Sequence, residues 1–159
     1  MGQMNIIGID PGLKGGLFCI HPDSSTDMTV MPVVKTGKKS WIDEAVLLNW
    51  FTSHRPAQVF VELVHSMPKQ GVASMFTFGL GYGIARGICV GLGLSYELVT
   101  PQAWQRFMLA GHPRGSEYLV ASRLWPQVDW KRTPRCTTFH DGLVDAALIA
   151  EYGRRRLRR

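Results

Sequence analysis

Four carboxylates stand where a carboxylate is costly unless it is used. Asp10 closes the apolar run Ile6-Ile7-Gly8-Ile9, and Glu62 closes a second, Val59-Phe60-Val61. Asp141 and Asp145 lie four apart near the C-terminus, with Leu143, Val144 and Ala146 around Asp145. An unpaired carboxylate against apolar neighbours costs several kcal/mol. Asp10 therefore either caps the turn that follows it or holds a metal ion or a phosphate. Two strands that each deliver an acid, with no basic residue immediately beside it, bring like charges together if the strands are neighbours. Such a pair needs a cation between its members or a shared proton. A spacing of four puts Asp141 and Asp145 on one face of a helix. For Asp141 the helix N-terminal dipole is a sufficient reason, whereas Asp145 needs a buried partner. Oxygen donors favour Mg2+ or Mn2+ over zinc. His140, beside them, titrates near neutral pH and is a second candidate for acid–base or ligand duty.

The remaining composition narrows the partner. A chain of 159 residues with 45% apolar residues is expected to form one globular domain. Its net charge is +6, with Arg154, Arg155, Arg156, Arg158 and Arg159 gathered in a basic tail. That balance points to a polyanion, nucleic acid first and an acidic membrane surface second; the plainer reading is a solvated tail. Cys19, Cys89 and Cys136 form no CxxC pair, so neither a zinc knuckle nor a disulfide framework is expected, and a reduced, cytosolic protein is. Met1-Gly2-Gln3-Met4 leads straight into the first strand without the pattern of an export leader. The apolar stretch from Thr77 to Tyr96 is interrupted by Arg86 and rich in glycine, which suits a buried helix better than a membrane span.

The elements that must position the acids follow from periodicity. Strands are expected at 5–10, 16–21 and 28–32 as an antiparallel meander, then at 59–62 and 94–99. Pro11 cannot join a ladder and Gly12 tolerates positive φ, so the chain turns immediately after Asp10. Lys35 to Lys39 reads as an exposed basic loop, and Ser40 as the N-cap of a helix ending near Ser53. A long helix over 72–92 carries Gly79, Gly83, Gly87 and Gly91 at four-residue spacing, which predicts close packing on the sheet or on a partner helix. Thr100-Pro101 starts a helix with Trp104 and Phe107 on its apolar face and Arg106 toward solvent. Ser116 caps another that stops at Trp125-Pro126, and the last helix runs from 138 or 140 to about 153.

Read together, these segments resemble a known family. The Asp10-Pro11-Gly12 turn after a strand, Val61-Glu62, and the terminal His140-Asp141-Gly142-Leu143-Val144-Asp145-Ala146-Ala147 are similar to the RuvC family of Holliday junction resolvases. Phe78-Gly79-Leu80-Gly81-Tyr82-Gly83, Val99-Thr100-Pro101, Leu109-Ala110-Gly111 and Val120-Ala121-Ser122 resemble its plant chloroplast and phage-type branch. The resemblance covers nearly the whole chain. It implies an α/β, RNase H-like fold with a mixed five-stranded sheet flanked by helices. It also implies a Mg2+-dependent homodimer, with Mn2+ able to substitute, that binds four-way DNA junctions. Such an enzyme nicks two opposing strands symmetrically and leaves 5′-phosphate and 3′-hydroxyl ends.

Carried over by position, Asp10, Glu62 and Asp145 are the metal-binding acids. Asp141 matches a histidine of the chloroplast type, with His140 as its rival. Met67, in the His65-Ser66-Met67-Pro68-Lys69 segment, takes the place of the residue that wedges at the junction centre. Gln105 replaces a lysine of the chloroplast type, leaving Arg106 or Lys131 to hold a phosphate. Lys14, His65, Lys69, Arg114 and Arg132 complete the expected DNA contacts. No membrane partner is expected, and the compartment implied is the cytoplasm of a bacterial or phage-infected cell, or an organelle in a eukaryote. Two related readings stay open, an RNase H-like nuclease acting on RNA or other branched DNA and a junction-binding protein that does not cut. A sugar-kinase or actin-type ATPase shares the Gly8-Ile9-Asp10-Pro11-Gly12 pattern but needs a second lobe.

Overall fold

The alternation of β-branched and aromatic residues builds one five-stranded sheet whose two faces are both covered. The structure, a computed structural model, describes residues 4–63 and 71–158. Strands β1 (Asn5–Asp10), β2 (Gly16–Ile20) and β3 (Thr26–Val30) form the expected antiparallel meander. Strands β6 (Ala57–Glu62) and β7 (Ser95–Val99) add in parallel on the other side of β1. The order is β3-β2-β1-β6-β7, a mixed sheet, as expected.

Because side chains alternate along a strand, each strand feeds two cores. Ile6, Phe18, Ile20 and Phe60 point to one face, where α3 (Pro101–Met108), α4 (Glu117–Leu124) and α5 (Asp141–Leu157) pack. Ile7, Ile9, Leu17, Cys19, Val59 and Val61 point to the other, toward α1 (Glu44–Ser53) and α2 (Val72–Gly91). Asp10 and Glu62 share the parity of Ile6 and Phe60, so both project on the α5 side. Helix α5 lies directly on β1 because Gly8 has no side chain. A Cβ there would stand 2.1 Å from the Ala146 carbonyl and 2.4 Å from the Ala150 nitrogen.

Several expectations give way. Lys35 to Lys39 is a hairpin rather than a loop: β4 (Val33–Thr36) pairs with β5 (Lys39–Ile42) across Gly37, whose φ of +63° suits the turn. Ser40 is consequently a strand residue paired with Lys35, and Asp43 caps α1, its Oδ1 accepting the Val46 N–H at 3.1 Å. Gly12 is not among the glycines with positive φ. The glycine that closes the turn is Gly15, where a Cβ would meet the Asp10 carbonyl at 2.0 Å.

Helix α2 also differs from the buried helix expected. It buries only Gly81, Ala85 and Cys89. Gly79, Gly83, Gly87 and Gly91 face open space, on the same side as the exposed Val72, Phe76 and Val90. By length and composition alone this helix could cross a membrane. The basic tail is the end of α5, extended four residues past the predicted stop. There Arg154 Nε and Arg155 Nε each donate at 2.7 Å to Glu151, which is 2% exposed. Arg156 pairs with Glu97 and lies over the Tyr152 ring. Three arginines of the run are therefore paired within the fold, by two carboxylates.

Candidate active site

Three separated segments deliver the acids to one end of the sheet. Ile9 and Val61 are partners in parallel register, so Asp10 and Glu62 stand one step further on adjacent strands, about 4.8 Å apart by backbone. Asp145 comes from the first turns of α5, which are held against the turn after β1. Gly15 bridges to Gly142, where a Cβ would stand 2.4 Å from the Lys14 carbonyl. That contact admits only glycine, and it fixes the height of Asp145 above Asp10.

The electrostatics show what the arrangement costs. Burial pushes the Asp10 carboxyl above its ordinary range, and a Gly12 N–H at 3.4 Å from Oδ1 lowers it in part. Burial pushes Glu62 to about 7, opposed by a hydrogen bond from Trp104 and reinforced by the charge of Asp10. Asp145 is pushed to about 8, first by burial and then by the charges of Asp10, Glu62, Glu117 and Asp141. Among the described residues no lysine or arginine makes an ion pair with any of the three. Half-buried oxygen donors that repel one another and have no basic partner among the described residues fit a hard divalent cation. The fit is open rather than caged. Among the described residues no three acids come within the 4.8 Å of one another that Cys19, His21 and His54 reach elsewhere.

Asp141 and His140 divide differently from the other acids. Asp141 is the first residue of α5, exposed, and lines the clefts on both sides of the acids. One cleft, of about 580 Å³, is walled by Asp10, Lys14, Gly15, Thr77, Phe78 and Asp141. His140 is the N-cap of α5, and its Nδ1 accepts the Leu143 N–H at 3.3 Å. Burial and the charge of Arg132 lower its pKa, so at neutral pH it is a neutral ring with one nitrogen already engaged.

Of the expected DNA contacts, Lys14 lies in the cleft wall beside Asp10. Arg106 and Arg114 are exposed and adjoin Gln105 and Gly115, which line the second cleft with Asp145. Lys131 and Arg132 are exposed on the loop before His140. His65, Met67 and Lys69 lie outside the described residues, as does Arg159. The arginines of α5 are at the far end of the sheet, where Arg154 lines a groove with Ile6, Ile20 and His21. Nine residues of helix, about 13 Å, separate Arg154 from Asp145.

Two features at the site have no counterpart in the sequence reading. Trp104, fully buried, donates its indole N–H to Glu62 Oε1 at 2.8 Å, so a residue read as core also orients an acid. Tyr118 and Phe139 stack at 4.3 Å with 12° between their planes, both exposed, on the rim of the cleft that holds Asp145. The only sequence signal for this pair is Phe139 in an otherwise polar segment.

No protein-family model matches the chain, and no curated protein matches it by sequence. Solved structures do match. The chain is similar to Thermus thermophilus RuvC, with a TM-score of 0.60 and 21% identity, over 98% of this chain and 96% of that one. The same protein in complex with a Holliday junction substrate gives a TM-score of 0.62 and 22% identity over 98% and 95%. Ydc2, the yeast mitochondrial Holliday junction resolvase, gives 0.66 and 14% over 94% and 77%. The fold is therefore that of RuvC, which is RNase H-like.

Proposed function

We propose that the chain is a structure-selective endodeoxyribonuclease that resolves four-way DNA junctions by paired, symmetric nicks. The observation that carries this reading is the trio Asp10, Glu62 and Asp145. Three chain segments bring these half-buried acids to one end of the sheet without a basic partner among the described residues, on a fold shared with a RuvC whose structure contains a Holliday junction. In this reading the three acids hold divalent ions, Mg2+ or Mn2+, with Asp141 as the fourth group and His140 its rival. When bound, the ions supply an activated water and stabilise the leaving 3′ oxygen.

The chain's own residues do the rest. Trp104 keeps Glu62 oriented and partly offsets its raised pKa, so that more of it is ionised at neutral pH. Lys14 in the cleft wall, with the exposed Arg106, Arg114, Lys131 and Arg132, holds flanking phosphates, which makes binding salt-dependent. Tyr118 and Phe139 offer a planar surface on which an unpaired base can stack.

Two nicks on opposing strands call for two copies of the site, and α2 supports a homodimer. Its exposed side combines Val72, Phe76 and Val90 with glycines every fourth residue, a surface on which a second helix can approach closely. Light scattering should give twice the chain mass, and Gly83→Arg should halve it. The direct test is Mg2+ added to protein and an end-labelled four-way junction. Paired nicks support the proposal. A mobility shift without nicks refutes the nuclease reading, and cleavage confined to RNA–DNA hybrids refutes the junction substrate.

A further inference from the structure

At the end of the sheet away from the acids, a second cluster has metal-ligand chemistry. Cys19 and His21 are two apart at the end of β2, so they share a face, the one toward α1. Asp27 is the register partner of Cys19 on β3. His54 is the C-cap of α1 and packs over the same spot. One ligand atom from each of Cys19, His21 and His54 lies within 4.8 Å of the others. From Gly16, which pairs with Asp10, five strand residues lead to His21, about 17 Å away. The cluster is thus independent of the carboxylate site and of the nuclease reading.

The hydrogen bonds fix which ring nitrogens are free. Asn5 donates its Nδ2 to the His54 carbonyl at 2.8 Å, which turns its Oδ1 toward His21 Nδ1 at 2.9 Å. His21 Nδ1 must then carry the proton, and Cys19 Sγ lies 4.0 Å from that same nitrogen, so the ring must turn for sulfur and Nε2 to share an ion. His54 Nδ1 lies 2.7 Å from the Trp50 carbonyl and must carry its proton too. Both Nε2 lone pairs are left aimed at one atom, Asp27 Oδ2, at 3.0 and 3.2 Å. Three acceptors facing one another need positive charge between them. A shared proton or a bound metal ion supplies it. An imidazole whose Nδ1–H is tied to a carbonyl while its Nε2 points inward is the arrangement that orients metal-binding histidines.

We propose that Cys19, His21, Asp27 and His54 form a zinc site that clamps β2 and β3 to the end of α1. A thiol, two imidazoles and one carboxylate suit a borderline-soft ion that accepts tetrahedral coordination, and do not suit Mg2+. Four protein ligands leave no open position, so the ion is structural. Trp50, stacked on His54 at 4.0 Å, covers one side. Asp27 is exposed enough to swing from between the rings to a ligand position.

The test is titration of the chelator-stripped full chain with Co2+ in excess Mg2+, followed by displacement with Zn2+. Uptake of one equivalent is expected, with intense tetrahedral visible bands and a thiolate-to-cobalt charge-transfer band. Zn2+ should also raise the melting temperature in Mg2+ buffer. Cys19→Ser should remove the charge-transfer band and Asn5→Ala should weaken binding roughly 10–100-fold, while Asp145→Asn and Cys136→Ser should leave the spectrum unchanged. Absence of saturable uptake by the wild-type chain, a weak octahedral spectrum, or a thiolate band lost in Cys136→Ser would each overturn the site. The wild-type titration and its Zn2+-dependent melting decide the matter even if Cys19→Ser does not fold.

Discussion

Asp145→Asn should stabilise the protein in the absence of metal, and should do so only above acidic pH. The carboxyl of Asp145 is raised from 3.8 to about 8. The folded state therefore holds a proton that the unfolded chain has already released. Stability is complete below about pH 4 and falls as pH rises toward about 8. At roughly 1.4 kcal/mol per pH unit, ionised surroundings at pH 7 cost about 4 kcal/mol. Asparagine mimics the protonated acid but leaves amide groups imperfectly paired, which costs about 1–3 kcal/mol. The net gain at pH 7 is about 1–3 kcal/mol, or roughly 3–10 °C in melting temperature for a chain of this size. Near pH 4 the gain should vanish or reverse.

The assay is thermal unfolding of both proteins from pH 4 to 8 in chelator, then with Mg2+. In the wild type Mg2+ relieves the repulsion and should raise the melting temperature most at neutral pH, by about 2.7 kcal/mol at one hundred times its dissociation constant. The variant should respond far less. A difference between the two proteins that does not change with pH would refute the idea that Asp145 is an unpaired buried charge. An equal Mg2+ response would remove it from the metal site.

Trp104→Phe keeps the buried ring but deletes the bond to Glu62 Oε1. The Glu62 pKa should rise further above about 7, and the acidic limb of the pH–cleavage profile should move up with little change in junction affinity. Gly8→Ala places a methyl 2.1 Å from the Ala146 carbonyl and should abolish folding or cost more than about 3 kcal/mol in denaturant unfolding. Replacing Arg154 and Arg155 together by alanine strands Glu151 as a buried charge and should cost about 3–5 kcal/mol. The salt slope of DNA binding should meanwhile stay nearly constant, since these guanidinium groups are already paired. Tyr118→Ala with Phe139→Ala should weaken binding of junctions with unpaired bases at the crossover by about 1–3 kcal/mol per lost stack, read by fluorescence anisotropy, and should spare fully paired duplex.

What could be read before the structure was local. Asp10 and Glu62 were legible because each ends an apolar run, and one strand parity sends both to the same face. Thr100 caps α3 as expected, accepting the Ala103 N–H at 3.2 Å, since capping depends on three adjacent residues. The hairpin at Val33–Ile42 escaped because four-residue strands carry too little alternation to be told from a polar loop. In α2 two sets of small residues compete, Gly81-Ala85-Cys89 and Gly79-Gly83-Gly87-Gly91. Spacing is identical in both, and only the sheet decides which is buried. Trp104 and Glu62 are 42 positions apart, so their bond could not be anticipated from either. The wide spacing of the cysteines argued against zinc, and the Cys19, His21 and His54 cluster arises only through the packing of α1.

The charge distribution bears most directly on the DNA reading. The arginines at the end of α5, which contribute to the net +6, are partly engaged within the fold, with Glu151 taking two and Glu97 a third. Among the cations outside those pairs, Lys14 lines the cleft that contains Asp10 and Asp141, and Arg106 and Arg114 adjoin residues of the cleft that contains Asp145, while Arg55 and Arg158 lie in grooves away from the acids. In the proposed reading, a phosphate held by Lys14 stands beside Asp10 and Asp141, which line the same cleft. Raised carboxyl pKa values assist the encounter, because protonated acids repel phosphate less than ionised ones. In the proposed reading, Mg2+ entering afterwards displaces those protons. Junction affinity without metal should then fall as pH rises from 6 to 9, and Asp145→Asn should flatten that fall. An affinity independent of pH in the wild type would mean that phosphate never approaches the acids.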